Sequence, residues 1–140
     1  MKRSGLVAAI KALATNITYA TGIKYAFEHG FIYRVNEYEG DYPLIWCNPP
    51  VLTERNKAEK KYTYKVTLFI FVAHDEFTED EKEAEWEKME TAALSIYEVL
   101  PDNANIINAT DFACDPDEFA VDSRGSVSVM CTFNVICYDC

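Results

Sequence analysis

The sequence predicts an α+β fold: a mostly antiparallel sheet packed against one long helix, with a further helix at the N-terminus. Residues 62–72 and 126–138 alternate along their length in the period-two pattern of strands set against a second layer. Between them, Glu79 to Leu100 places Trp86, Met89, Ala93, Ile96, Tyr97 and Leu100 at helical spacing, one apolar stripe able to lie on a sheet. At 140 residues the chain is long enough for one hydrophobic core and too short for two, so residues 1–140 read as a single domain.

The elements follow in order. Leu6, Ile10, Leu13 and Ile17 recur at steps of four, three and four, predicting an amphipathic first helix, with Ser4 as its cap and a decay near Thr15 or Asn16. Met1-Lys2-Arg3 and the apolar run after it imitate a signal peptide, but Lys11 interrupts the run. Gly22 to Phe27 is ambiguous between helix and strand, and His29-Gly30 reads as a stop. Phe31 to Tyr38 has no clean period, and Glu39-Gly40-Asp41 reads as a turn. Pro43 to Cys47 is a short strand ended by Asn48-Pro49-Pro50, since proline cannot donate to a ladder, and the next element is expected only after a polar stretch.

That next strand has two unlike faces. Tyr62, Tyr64, Val66, Leu68, Ile70 and Val72 form one apolar face, while Thr63, Lys65 and Thr67 begin a polar one that turns apolar at Phe69 and Phe71. Its later end is therefore expected to be covered on both sides, by a second layer of the same chain in preference to a neighbouring subunit. Thr78 with Glu81 three residues on is a capping box that starts the long helix, and Pro101 stops it. Ala104 to Phe112 predicts a strand of open register, followed by an acidic loop, Asp115 to Asp122, with Gly125 as the hinge into the last strand. There Val127, Val129, Cys131, Phe133, Val135 and Cys137 face one way, and Ser126, Ser128, Thr132 and Asn134 the other. Met130, Ile136 and Tyr138 break the polar face and mark a contact candidate. The helix should lie on the Val127–Val135 face.

Charge is unevenly placed. Thirteen Lys and Arg against 23 Asp and Glu leave a net charge of -10, the wrong sign for a general nucleic-acid binder. Yet Glu54 to Lys65 holds Arg55, Lys57, Lys60, Lys61 and Lys65 against two acids, a local +3, whereas Asp75 to Glu90 holds nine acids against Lys82 and Lys88, a local -7. Two solvated faces are the bland account of these patches. The sharper account sets the basic loop of one copy against the acidic helix of the next around a ring.

The residues that carry chemistry form no catalytic pattern. Asp115, Asp117, Glu118 and Asp122 lack the glycine at the sixth position that an EF-hand loop needs. No G-x-S-x-G elbow holds a serine, the glycines do not cluster into a phosphate loop, and His29 and His74 read as structural or exposed. Asn16-Ile17-Thr18 and Asn108-Ala109-Thr110 match the glycosylation pattern, which matters only in a secreted protein. Five cysteines at 47, 114, 131, 137 and 140 contain no CxxC pair; Cys131 and Cys137 would stand about 20 Å apart along one strand, and free, mostly buried thiols are expected. The expectation is no catalytic, cofactor-binding or metal-binding residue, no enzyme activity, and no membrane span, since the longest apolar run is Leu68 to Ala73.

The element order itself is informative: an N-terminal helix, a strand from Pro43 to Cys47 preceded by Asp41-Tyr42, a strand opened by Tyr62-Thr63-Tyr64, a helix carrying Trp86 and Met89, and a closing strand introduced by Arg124-Gly125. Over residues 4–138 this order resembles the tail terminator and tail-completion proteins of tailed bacteriophages and the related ring proteins of phage head-to-tail junctions. The resemblance implies a tail-terminator-like fold and a structural subunit of a homo-oligomeric ring, a hexamer or dodecamer, at a head-to-tail junction or tail end. It further implies portal, connector or tail proteins as partners, DNA passing through the ring without sequence-specific binding, and a place in the virion after assembly in the host cytoplasm. The cysteine content, the Gly22–Gly40 segment and the acidic loop after Cys114 depart from the simplest version of that pattern. Two other readings compete. One is a small acidic chaperone or adaptor acting as a dimer, and the other is a metal-dependent hydrolase or nuclease built on the 115–122 acids.

Overall fold

The computed structural model describes residues 1–73, 76–117 and 120–139. His74, Asp75, Glu118 and Cys140, each named above, lie outside them. In chain order the elements are α1 (Arg3–Ala14), β1 (Thr18–Ala20), β2 (Ile23–Lys24), β3 (Ala26–His29), a 3-10 helix (Ile32–Glu37), β4 (Leu44–Cys47), β5 (Val51–Asn56), β6 (Lys61–Val72), α2 (Glu79–Val99) with a 3-10 turn (Leu100–Asp102), β7 (Ile106–Pro116) and β8 (Val127–Tyr138). The result is a mixed α+β fold with an N-terminal helix, a long second helix and a six-stranded sheet.

The long alternating segments form the centre of that sheet. β6 and β8 pair antiparallel over their whole length, from Lys61 opposite Tyr138 to Val72 opposite Val127. β7 lies outside β8, and β4 and β5 share the other side of β6. Among the described residues only β3, added to β4, runs parallel to its neighbour. A separate two-stranded ribbon, β1–β2, resolves part of the ambiguous Gly22–Phe27 stretch, and β3 the rest.

Each face of the sheet has its own core. On one face Val66, Leu68, Ile70, Val129, Cys131, Phe133 and Val135 meet Met89, Ala93, Ile96 and Leu100 of the long helix and its 3-10 turn, with Leu6 and Ile10 of α1 beside them. This is the packing expected for the helical stripe, with Trp86 and Tyr97 half-buried at its margin. On the other face Leu44, Trp46, Phe69 and Phe71 pack against Val35, Ile32, Tyr38 and Tyr42. The second cover over the late end of β6 thus comes from the chain's own 31–42 segment. Thr78 caps α2 with the full reciprocal box: its hydroxyl accepts from the Glu81 amide and the Glu81 carboxylate accepts from the Thr78 amide.

Four expectations are corrected. Ser4 lies inside α1; Lys2 occupies the N-cap position without a side-chain bond, and the helix start is tied instead by the Met1 amine to the Tyr138 carbonyl and by Arg3 Nε to the Pro50 carbonyl at 2.8 Å. Pro49-Pro50 interrupts a strand without delaying the next: Asn48 N–H still donates to Thr67 O at 3.0 Å, and β5 begins at Val51 along the same side of β6. Both prolines fall where the pairing along β6 shifts register, between Cys47 opposite Leu68 and Val51 opposite Lys65, so no ladder position is lost to them. β7 runs on to Pro116 and takes Asp115 and Pro116 out of the acidic loop, with register shifts on either side of Thr110 and Asp111 at φ 60°. The fourth concerns the thiols: Cys114 and Cys131, directly paired across β7 and β8 with Cα atoms 4.1 Å apart, form a disulfide. Cys47 is a free, buried thiol, and Cys137 is buried.

Candidate interaction surfaces

The basic segment forms a hairpin at one edge of the sheet. β5 and β6 pair from Val51 opposite Lys65 to Asn56 opposite Lys61, and residues 57–60 make the exposed tip. Asn56 Oδ1 accepts from the Glu59 amide at 3.0 Å, closing the turn. Some of its charge is already engaged: Arg55 lies 3.5 Å from Asp139 and 5.4 Å above the Tyr62 ring, and Lys61 lies 3.3 Å from Glu59. Such exposed pairs hold their partners weakly. Lys57, Lys60 and Lys65 are exposed beside them, as are Val51 and Leu52 on β5. These two apolar side chains were hidden from sequence inspection because their segment reads as a loop after a double proline.

The acidic segment is the outer surface of α2, which packs chiefly on β8 and β7. Lys82 and Lys88 pair within the helix, each 3.4 Å from Glu79 and Glu85 respectively. Glu85 is buried and also accepts from Tyr19 Oη at 2.7 Å, which pins the β1–β2 ribbon to the helix. Burial and the Glu85 carboxylate push the Tyr19 hydroxyl up to about 12. Glu90 sits where α2 meets β7, and desolvation together with the Glu83, Glu87 and Asp115 carboxylates raises its pKa.

Two short signals eighty residues apart, Asp41-Tyr42-Pro43 and Arg124-Gly125, come together in a third place. The Arg124 guanidinium lies 4.5 Å above the Tyr42 ring and donates to the carbonyls of Tyr38 and Gly40 at 2.6 and 3.0 Å. Asp122, buried, accepts from Tyr42 Oη at 2.5 Å, from Ser126 Oγ at 2.8 Å and from the Ser126 amide at 2.9 Å. Gly125, at φ 69°, makes the left-handed turn between them. This clamp fastens the 38–43 segment to the loop before β8 and buries the Ser126 and Ser128 end of the otherwise polar sheet face.

The acids of the 115–122 segment do not converge. Asp115 pairs in β7 opposite Met130, Asp117 accepts from Ser128 Oγ at 2.6 Å, and Asp122 belongs to the clamp. Burial raises the Asp117 pKa, more than the Ser128 hydrogen bond lowers it. Among the described residues no group of three or more His, Cys, Asp and Glu could hold a metal ion, and no helix is long and apolar enough to cross a membrane. His29 is exposed and lines a shallow groove of about 380 Å³ with Trp46, Arg34 and Tyr38. Asn16 and Asn108 are exposed. No family model matches this chain, and no curated protein matches it either.

Proposed function

We propose that this protein is a structural subunit of a homo-oligomeric ring at a phage head-to-tail junction or tail end, surrounding the channel through which DNA passes. The observation that carries the proposal is the separation of opposite charge on one rigid sheet: the basic β5–β6 hairpin stands at one edge, and the acidic α2 covers the strands toward the other. Two different, complementary surfaces on one subunit make a head-to-tail contact, which closes into a ring when the rotation between copies permits. Charge of this kind fixes partner and register more than it supplies affinity, and it weakens with salt. The helix–strand order resembling tail terminator and tail-completion proteins supports the same reading and its tail-terminator-like fold. In that setting the partners are portal, connector or tail proteins, and an acidic lumen lets DNA slide without gripping it.

Electron microscopy of the native particle or complex tests the proposal. A six- or twelve-fold ring around an axial channel is the expected result, and a two-fold dimer clasping an unfolded client would end it in favour of a chaperone or adaptor. In solution, changing Lys57, Lys60 and Lys61 to Glu is expected to reduce assembly by about tenfold or more while leaving circular dichroism and thermal midpoint intact, since all three lie on the exposed hairpin.

A further inference from the structure

Beyond the bulge at Asp111, β7 continues for four more paired residues, from Ala113 opposite Thr132 to Pro116 opposite Val129. Of these four, Ala113, Asp115 and Pro116 are exposed, and only Cys114 turns a half-buried side chain toward the core. Pro116 has no N–H to donate. The section ends where Asp117 N–H donates to Ser128 O at 3.0 Å and Asp117 Oδ2 accepts from Ser128 Oγ at 2.6 Å. Charge does not hold it to α2: the Asp115 carboxylate is among those that raise the Glu90 pKa, so strand and helix repel one another there. The strand before this section is fixed differently, by Phe112 packed on Tyr97 and Phe133 at ring separations of 5.0 and 6.4 Å.

The Cys114–Cys131 bond is what fastens the section to the sheet. Its Cα atoms, 4.1 Å apart, mark a ladder step without hydrogen bonds, so at that step the sulfurs are the link. The two ends of the bond have unlike surroundings. Cys131 is fully buried, whereas Cys114 lines a shallow groove of about 490 Å³ between α2 and β7, together with Glu87, Glu90, Leu94 and Phe112. The groove gives a thiolate from solvent its approach to the bond, from the Cys114 side.

We propose that the Cys114–Cys131 disulfide is a redox-controlled fastening: oxidised, it holds residues 113–117 on β8; reduced, it lets this section leave and opens the β8 edge from Ser128 to Thr132. The inference goes beyond the ring reading and does not rest on it. The reductant is a dithiol. One of its thiolates attacks Cys114 Sγ, the S–S bond breaks, and the electron pair leaves on Cys131 Sγ, which takes up a proton. The second thiol of the reductant, as thiolate, then attacks the mixed disulfide and releases Cys114, which is protonated in turn. The two protons are those of the dithiol, so the products are two protein thiols and a cyclic disulfide, and an oxidised dithiol drives the same steps backwards. Phe112 on one side and the Asp122 clamp on the other hold the chain around the section, so the rest of the sheet keeps its ladder. An unpaired edge is a template for another strand, and the switch governs whether β8 presents one.

Hydrogen exchange read by mass spectrometry tests the switch on the full chain, treated with oxidised or with reduced dithiothreitol and without denaturant. The bond is expected to form in the first case and open in the second, with exchange across residues 113–117 about tenfold or more faster on reduction. Exchange in β4 and β6 is expected to stay the same. Cys114→Ser should exchange at the reduced rate with or without the dithiol, which assigns the effect to this bond. The buried Cys47 thiol, pushed up to about 12 by desolvation, takes no part. A bond that fails to form, or that yields only in denaturant, overturns the proposal, as does equal exchange in the two states or a dithiol effect that remains in Cys114→Ser. Exchange that rises through the whole sheet on reduction, or a Cys114→Ser protein that does not fold, overturns it as well, because the bond is then a staple of the entire fold.

Discussion

The two ends of the β6–β8 pair are built on opposite principles. From Leu68 to Val72 the ladder is covered on both faces, by the helices on one and by the 31–42 segment on the other. From Lys61 to Thr67 it has one covered face; the other presents Thr63, Lys65, Thr67, Thr132 and Asn134, half-buried or exposed, with no layer among the described residues over it. The closed end is where the chain spends apolar area and its buried hydrogen-bonded aspartate. The open end is where exposed charge is kept, and the ring proposal draws on that contrast between a rigid anchor and an accessible hairpin.

The sharpest way to break the comparison is at Phe71. Its side chain is fully buried and stacks on Tyr42 and Phe69, at ring separations of 5.8 and 6.4 Å. Phe71→Ala is expected to cost about 3–5 kcal/mol in denaturant unfolding, by lost transfer and by the cavity left behind. At the open end, Val51→Ala should change stability by less than about 0.5 kcal/mol. Equal effects would mean that the two ends are not different in kind.

A smaller effect tests the clamp. Asp122→Ala leaves the Tyr42 hydroxyl and the Ser126 amide and hydroxyl without their acceptor, and should cost about 2–3 kcal/mol. The same change should increase hydrogen exchange in the 38–43 segment and leave the hairpin tip unaffected, because the clamp fastens only the closed end.

The smallest effect concerns acid. Glu90 and Asp117 both have raised pKa values in the folded protein, so the native state holds these protons more tightly than the unfolded chain does. Their stabilising contribution is complete below the ordinary carboxylate values and is lost as pH rises through the raised ones. Glu90→Gln should therefore stabilise the protein at neutral pH by less than about 0.5 kcal/mol, given how much solvent reaches the site, and give no gain in acid. Thermal midpoints of the two proteins at pH 7 and at pH 3.5 check the sign.

Much of this architecture was legible in the sequence because it depends on neighbours along the chain. The capping box at Thr78 and Glu81, the stripe through Met89, Ala93 and Ile96, and the switch of Phe69 and Phe71 to the second face all came through as expected. What misled was punctuation read without its tertiary setting. Pro49-Pro50 signals a stop, yet it stands where the ladder along β6 shifts register, between Cys47 and Val51, and β5 resumes at once. The clamp left only two weak local marks, at Tyr42 and Arg124, because its hydrogen bonds span some eighty residues.

By itself, then, the sequence determined the two long strands, the two helices and which of their side chains share a face, since a period of 2 or 3.6 is a property of the local backbone. It also set the opposite charges of the hairpin and the helix. Strand order and the meeting of Cys114 with Cys131 were decided only in the tertiary structure. Register and neighbourhood in a sheet follow from the summed burial of residues far apart in the chain, and no local pattern records that sum.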